Sequence, residues 1–170
     1  ILNKECMIIQ PSLIYGSVGK KKDKNIYKII KIISKLPFII LPNETGLRQP
    51  IHITQLAELF FKYSEDISKK RDSLSSLNYS KILVGGDSEI SYEKMIKQII
   101  KRINFKKKKI YCKILKIPNR FFLILFFPLI IFSPKAFESI QRINVDLAGF
   151  KKVSTLIKKN SENFPLEPFG

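Results

Sequence analysis

A chain of 170 residues has room for about one ordinary domain. Its 45% hydrophobic residues are ample for a core and its 26% charged residues are ordinary for a soluble protein, whereas the formal net charge of +17 raises nucleic acid or an anionic membrane as partners. One histidine and two cysteines without CxxC spacing exclude a His-based metal cluster, and they indicate neither a zinc site nor a disulfide framework.

The chain opens Ile1-Leu2-Asn3-Lys4, with no charged leader and h-region and no Met, so a piece of a longer polypeptide is expected. Cys6 to Gln10 is a continuous apolar run, predicted as a strand buried on both faces of a parallel sheet and ended by Pro11, which cannot donate to a ladder. Pro11 to Gly16 is the expected loop at its carboxyl end, the edge where open α/β sheets bind ligands. Ser17 to Lys24 reads as a basic turn. Asn25 is placed as the cap of a helix to about Leu36, with Ile26, Ile29, Ile30, Ile32 and Ile33 on its apolar side and Pro37 as its stop.

Phe38 to Leu41 is a predicted strand and Pro42 to Gly46 a turn. Arg48 then leads a short alternating segment, and Thr54 is placed as the N-cap of a helix whose apolar face carries Leu56, Leu59 and Phe60. That helix ends near Ser64, and Glu65 to Asn78 reads as a helix tail and loop. Lys81 to Val84 is a strand, and Ser91 caps a helix with Glu93 in its first turn and Tyr92, Met95, Ile96, Ile99, Ile100 and Ile103 on one side. Ile110 to Leu115 is a further strand.

Phe121 to Phe132 is apolar but shorter than the roughly 20 residues a spanning helix needs. A buried or dimer-forming helix is expected there, ahead of a helix lying on a membrane surface. Pro134 to Leu147 reads as a helix with Phe137, Ile140, Ile143 and Leu147 on a stripe, and Lys151 to Lys159 as a last short helix before an extended tail. Strands alternating with helices make the fold class α/β. A first strand so near residue 1 leaves an open sheet edge, which calls for another polypeptide or a missing amino-terminal part.

The lysine clusters at Lys20 to Lys22, Lys106 to Lys109 and Lys158 with Lys159 sit in or beside expected turns, so most of the charge reads as solvated surface. Cys6 and Cys112 read as buried free thiols in a reducing cytosol, which makes the expected localisation cytoplasmic. There is no GxGxxG and no P-loop. His52 is expected to be scaffold, tying a strand end to a loop. Glu44, Asp66, Asp87, Glu89, Glu93 and Asp146 all fall near helix ends or turns, where capping or solvation accounts for them. Tyr15 could donate a proton, with nothing nearby to lower its pKa. Arg48 is a fork-shaped permanent cation at a strand end, suited to a phosphate. No complete catalytic machinery follows from these residues.

Four segments carry a resemblance. Met7-Ile8-Ile9-Gln10-Pro11-Ser12-Leu13-Ile14-Tyr15-Gly16 resembles the R-P-x-x-x-Y-G strand and loop of the NAD-dependent epimerase/dehydratase family, the extended short-chain dehydrogenases/reductases. Arg48-Gln49-Pro50-Ile51-His52-Ile53-Thr54-Gln55-Leu56-Ala57 is similar to that family's R-x-x-I-H-V-x-D-L-A segment. Lys81 to Ser91 resembles the strand and helix start that follow, and Arg142-Ile143-Asn144-Val145-Asp146-Leu147 resembles a late segment of some nucleotide-sugar members. The tail Phe164 to Phe169 sits where the family ends in a short Pro-containing extension.

The resemblance covers nearly all of residues 1–170 and matches the family's carboxyl-terminal portion, without the glycine-rich loop or the Tyr-x-x-x-Lys pair. It implies the carboxyl-terminal part of a Rossmann-type fold with a small α/β substrate-binding subdomain. It also implies that Pro11, Ser12 and Ile14 line the nicotinamide end of NAD or NADP, that Arg48 contacts the diphosphate of a nucleotide-sugar, and that Arg142 is a second diphosphate ligand. Catalytic and metal-binding residues are not expected in this chain, and the isolated chain is expected to be inactive. It should work as a homodimer or with an amino-terminal half. Gln10 stands where the family has Arg, and Gln55 where it has Asp. The alternative, from another class, is a non-catalytic basic protein on an anionic membrane or nucleic acid, with peripheral membrane contact through Phe121 to Phe132. Nucleic acid is disfavoured, because the aromatics cluster there instead of interleaving with lysines.

Overall fold

The computed structural model describes residues 7–18, 21–22, 24–70, 80–105 and 111–158. The expectations for Ile1 to Cys6, Lys20, the end of the 65–78 loop, Lys106 to Ile110, Lys159 and the tail lie outside these residues. In chain order the elements are β1 (Met7–Pro11), β2 (Ile14–Tyr15), β3 (Ser17–Val18), β4 (Lys21–Lys22), α1 (Lys24–Ile33), β5 (Phe38–Pro42), β6 (Leu47–Arg48) and β7 (Ile51–His52). Then follow α2 (Ile53–Lys70), β8 (Ser80–Gly85), β9 (Ile90–Ser91), α3 (Tyr92–Phe105), β10 (Lys113–Ile117), α4 (Asn119–Phe126), α5 (Leu129–Phe132), α6 (Pro134–Gln141), a 3-10 turn (Arg142–Asn144), β11 (Lys151–Lys152) and α7 (Val153–Ile157). The fold is α/β, with parallel strands joined through helices.

β8 is the centre of a three-stranded parallel sheet, flanked by β1 and β11. The run at β1 is not buried on both faces as expected. Its residues alternate between half-buried and exposed, with Ile8 51% exposed, because the sheet is packed on one face only; the central β8 alternates likewise, with Leu83 43% exposed. Pro11 is the last strand residue, opposite Val84, and the ladder runs on one step as the Ser12 amide donates to the Val84 carbonyl at 2.8 Å. A second parallel pair joins β5 to β10, and short pairs join β2 to β7 and β6 to β9. The expected basic turn after Gly16 is a hairpin of β3 and β4.

Two cores result. The first gathers Tyr15, Ile26, Ile33, Ile90, Met95, Ile96 and Ile99 between α1 and α3. The second gathers Ile51, Leu56, Leu59, Val84, Val153 and Ile157 where α2 and α7 cover β7 and β8. Side chains alternate along a strand, so adjacent Ile14 and Tyr15 serve opposite cores. Each fully buried aliphatic or aromatic side chain is worth about 1.5–3 kcal/mol over leaving it in water.

The helix borders shift from expectation. α1 begins at Lys24, ahead of Asn25, and stops at Ile33, and Ile32 faces solvent at 51% exposure. α2 starts at Ile53 and runs well past Ser64. Ser91 does cap α3, its hydroxyl accepting from the Lys94 amide at 3.2 Å. β10 sits later than expected, and the α6 helix ends at Gln141, not Leu147. Residues 151–152 form a strand before the last helix. Cys112 is free and only half-buried, with its thiol pushed up by desolvation.

The largest departure is the 121–132 run. It is not one buried helix. Pro128 lacks the amide that would continue the ladder, so α4 ends and α5 begins around it. Only Phe122 is buried, at 1% exposure, while Phe121, Ile124, Phe127, Ile131 and Phe132 are each more than 60% exposed. Among the described residues no helix is long and apolar enough to cross a membrane.

Candidate functional site

Arg48 ends β6 with its side chain 5% exposed. Its Nη1 donates to the carbonyls of Leu47 at 2.7 Å and Val145 at 2.6 Å, and Nη2 donates to the carbonyl of Arg142. The guanidinium also lies over the Tyr92 ring, 5.3 Å from its centroid, a cation–π geometry. Burial pushes the Arg48 pKa down, opposed by Tyr92 and by Asp146, and a guanidinium starts so high that it keeps its charge. Burial likewise pushes the Tyr92 phenol up, opposed by Arg48.

Around Arg48 the 46–48 segment is laced to the 142–147 segment. The Gly46 amide donates to Ile143, the Leu47 amide to Asp146 Oδ1 at 2.6 Å, and the Leu147 amide back to Leu47. The approach requires glycine at 46, where a Cβ would stand 2.1 Å from the Val145 oxygen that Arg48 holds. So Arg48 and Arg142 are brought together, but through backbone. The Arg142 side chain is exposed and paired with Glu138, one helical turn back, at 2.5 Å.

Gln49, fully buried, faces the sheet. Its Nε2 donates to the carbonyls of Gly86 at 2.7 Å and Phe150 at 3.1 Å, and its Oε1 accepts from the Phe150 amide at 2.9 Å. Its own carbonyl accepts from the Ser12 hydroxyl and the Gly86 amide. One residue thus binds the carboxyl ends of β1 and β8 and the approach to β11. Nothing in the sequence singled Gln49 out. Its one trace is the Gly85-Gly86 pair, where a Cβ on Gly85 would meet the Gln49 side chain at 2.4 Å.

Pro11, Ser12 and Ile14 stand half-buried at that carboxyl edge. Ser12 spends both donors on the scaffold, its hydroxyl on Gln49 and its amide on Val84. Ile14 pairs with Ile51 and packs on the second core. These three residues therefore offer packing surface more than hydrogen bonds.

The start of α2 differs in detail from expectation. His52, not Thr54, stands at the N-cap, and its Nδ1 lies 2.7 Å from the Thr54 hydroxyl and accepts from the Thr54 amide at 3.3 Å. The Tyr15 ring meets the His52 ring edge-on at 5.0 Å. Burial pushes His52 down and raises Tyr15 to about 12, the latter helped by Asp87. His52 is scaffold here, tying a strand end to a helix start. Leu56 and Leu59 face the core as expected, whereas Phe60 is 50% exposed.

Gln55 closes the cap from the other side. Its Oε1 accepts from the His52 amide at 2.9 Å while its Nε2 donates to Asp87 Oδ2 at 3.3 Å, and Asp87 Oδ1 accepts from the Ser154 amide in the first turn of α7. An Asp at position 55 would put a second carboxylate against Asp87, so the amide suits this junction. Asp87, Glu89 and Asp146 all accept backbone amides, as their turn positions suggested. Among the described residues no three His, Cys, Asp or Glu side chains gather as metal ligands.

No family model matches the chain, and no curated protein matches it. Among solved structures the chain is similar to dTDP-4-dehydrorhamnose reductase from Bacillus anthracis str. Ames in complex with NADP. The TM-score is 0.43 at 17% identity, over 68% of this chain and 34% of that one. The chain thus spans about a third of the length of that reductase.

Proposed function

We propose that the chain is the carboxyl-terminal, substrate-binding portion of an NAD(P)-dependent nucleotide-sugar enzyme of the extended short-chain dehydrogenase/reductase type, an epimerase or dehydratase in the reading of its motifs. The observation that carries this is the chain of contacts from Gln49 to Arg142. Adjacent residues 48 and 49 tie the carboxyl edge of the parallel sheet, where such folds bind ligands, to a second arginine far along the chain.

In this reading Arg142 is the mobile grip on the diphosphate. Its surface pair with Glu138 is worth little and yields readily to a phosphate. Arg48 holds the turn that presents Arg142, and its Nε–H and second Nη2–H, unused among the described residues, remain for a phosphate oxygen. Pro11, Ser12 and Ile14 would line the nicotinamide end of NAD or NADP by packing, and the cofactor would supply hydride transfer. Hydroxyl deprotonation belongs to a Tyr-x-x-x-Lys pair on an amino-terminal half.

The test is calorimetric titration of UDP and dTDP into the chain joined to an amino-terminal half bearing the glycine-rich loop. Arg142→Ala should weaken binding by about 10–100-fold, the worth of one charge-assisted phosphate contact. Equal affinity in Arg142→Ala and the unaltered protein overturns the reading.

A further inference from the structure

We infer that the exposed apolar face of α4 and α5 is a docking surface for an anionic lipid bilayer. Phe121, Ile124 and Leu125 lie at i, i+3 and i+4 on one side of α4 and are 65%, 66% and 52% exposed. Past Pro128 the face continues through Ile131 and Phe132, which are 80% and 83% exposed. So many large apolar side chains standing together in water mark an interaction site.

The face is held out firmly. Phe122 plugs into the body at 1% exposure, with the Phe126 ring edge-on to it at 5.0 Å. Phe127 meets Phe137 of α6 edge-on at 6.5 Å, which fixes the next helix alongside. Both helices are too short to span a bilayer, so the face can only lie on one.

Charge decides the occupant. Residues 94 to 137 contain twelve Lys or Arg and no Asp or Glu, and although Lys97 and Lys116 are paired with Glu93, the cations that border the face in sequence, Arg120 and Lys135, lie in this stretch. Exposed Arg120 is the second residue of α4, directly before Phe121, and exposed Lys135 sits in the first turn of α6, three residues after Phe132. A second copy of the chain would set these cations against their own counterparts with no carboxylate on the face to pair them, since Glu138 is engaged by Arg142. An anionic headgroup layer supplies the missing charge, and its acyl boundary takes the aromatic and aliphatic tips.

Co-sedimentation of the full chain with vesicles tests this. Vesicles of phosphatidylcholine with phosphatidylglycerol should bind about tenfold or more tightly than phosphatidylcholine alone, and salt near 0.5 M should weaken the binding. The double variant Ile131→Ser, Phe132→Ser removes two solvent-facing tips, so it should keep the unaltered thermal melt and lose about tenfold or more in vesicle affinity. Three results overturn the proposal: no binding to anionic vesicles, equal binding by variant and unaltered chain, or a dimer that the variant dissociates without any vesicle binding. Nucleoside diphosphate affinity measured on the same variant is expected to be unchanged. A failure of diphosphate binding therefore bears on the substrate reading, and a failure of vesicle binding on this one.

Discussion

Arg48 donates to the backbone carbonyl of Arg142, 94 positions further along the chain. The two arginines that the motifs single out are thus one unit, the first buried and fixed, the second exposed and free to turn. Their variants should separate cleanly. Arg48→Lys loses the fork that holds three carbonyls and should cost about 1–3 kcal/mol in urea unfolding. Arg142→Ala should stay within about 0.5 kcal/mol of the unaltered chain, because it removes only a surface pair. A stability loss in Arg142→Ala as large as that in Arg48→Lys would contradict this division.

Gln49→Leu keeps the volume but leaves the Gly86 carbonyl and both polar groups of Phe150 without their partners. Each unsatisfied buried group costs about 1–3 kcal/mol, and with three groups affected, two of them on half-buried Phe150, a loss of about 3 kcal/mol or more is expected, read as a shift in the urea midpoint.

Acid should destabilise the chain in a window that one residue sets. Burial holds the His52 imidazole below its ordinary value of 6.5, so the folded chain disfavours the proton that the unfolded chain accepts. Stability is then complete above about pH 6.5 and falls as pH drops through the lowered folded value. Asn is a good N-cap, so His52→Asn should retain the cap and flatten this limb of the melting-temperature profile. Glu93, held below 4.5 first by Lys116 and then by Lys97, adds its own loss only at lower pH.

Phe122→Ala should detach α4 from the body at a cost of about 3–5 kcal/mol, the range for truncating a fully buried aromatic. Phe121→Ala, one position away and 65% exposed, should leave the thermal midpoint nearly unchanged.

Periodicity made some of the fold legible. The strands β1 and β8 came from apolar runs whose continuity said nothing of which face is covered, whereas the stripe on α3 came from spacing, because burial repeats at the period of the backbone. The start of α2 did not, since the cap is a histidine ring, a residue type outside the usual cap preferences, while Thr54 was the conventional candidate. The 121–132 run misled because apolar content predicts that a surface will be covered without saying by what. At the site, Arg48 stood out as a fork-shaped cation at a strand end and Arg142 through motif resemblance, but their contact runs through a carbonyl oxygen that every residue possesses. Gln49 left only the indirect trace of the Gly85-Gly86 pair, because its side chain bonds to backbone groups of glycine and phenylalanine at sites remote in sequence.

Because Gln49 holds Gly86, Phe150 and the Ser12 hydroxyl at once, these contacts are not released singly, although the Ser12 amide keeps its own bond to Val84. Amide protons of Gly86 and Phe150 both end on the same residue, one on its carbonyl and one on its side chain. In deuterated water they should become labelled at one common rate, set by a single opening that frees the ends of three strands together.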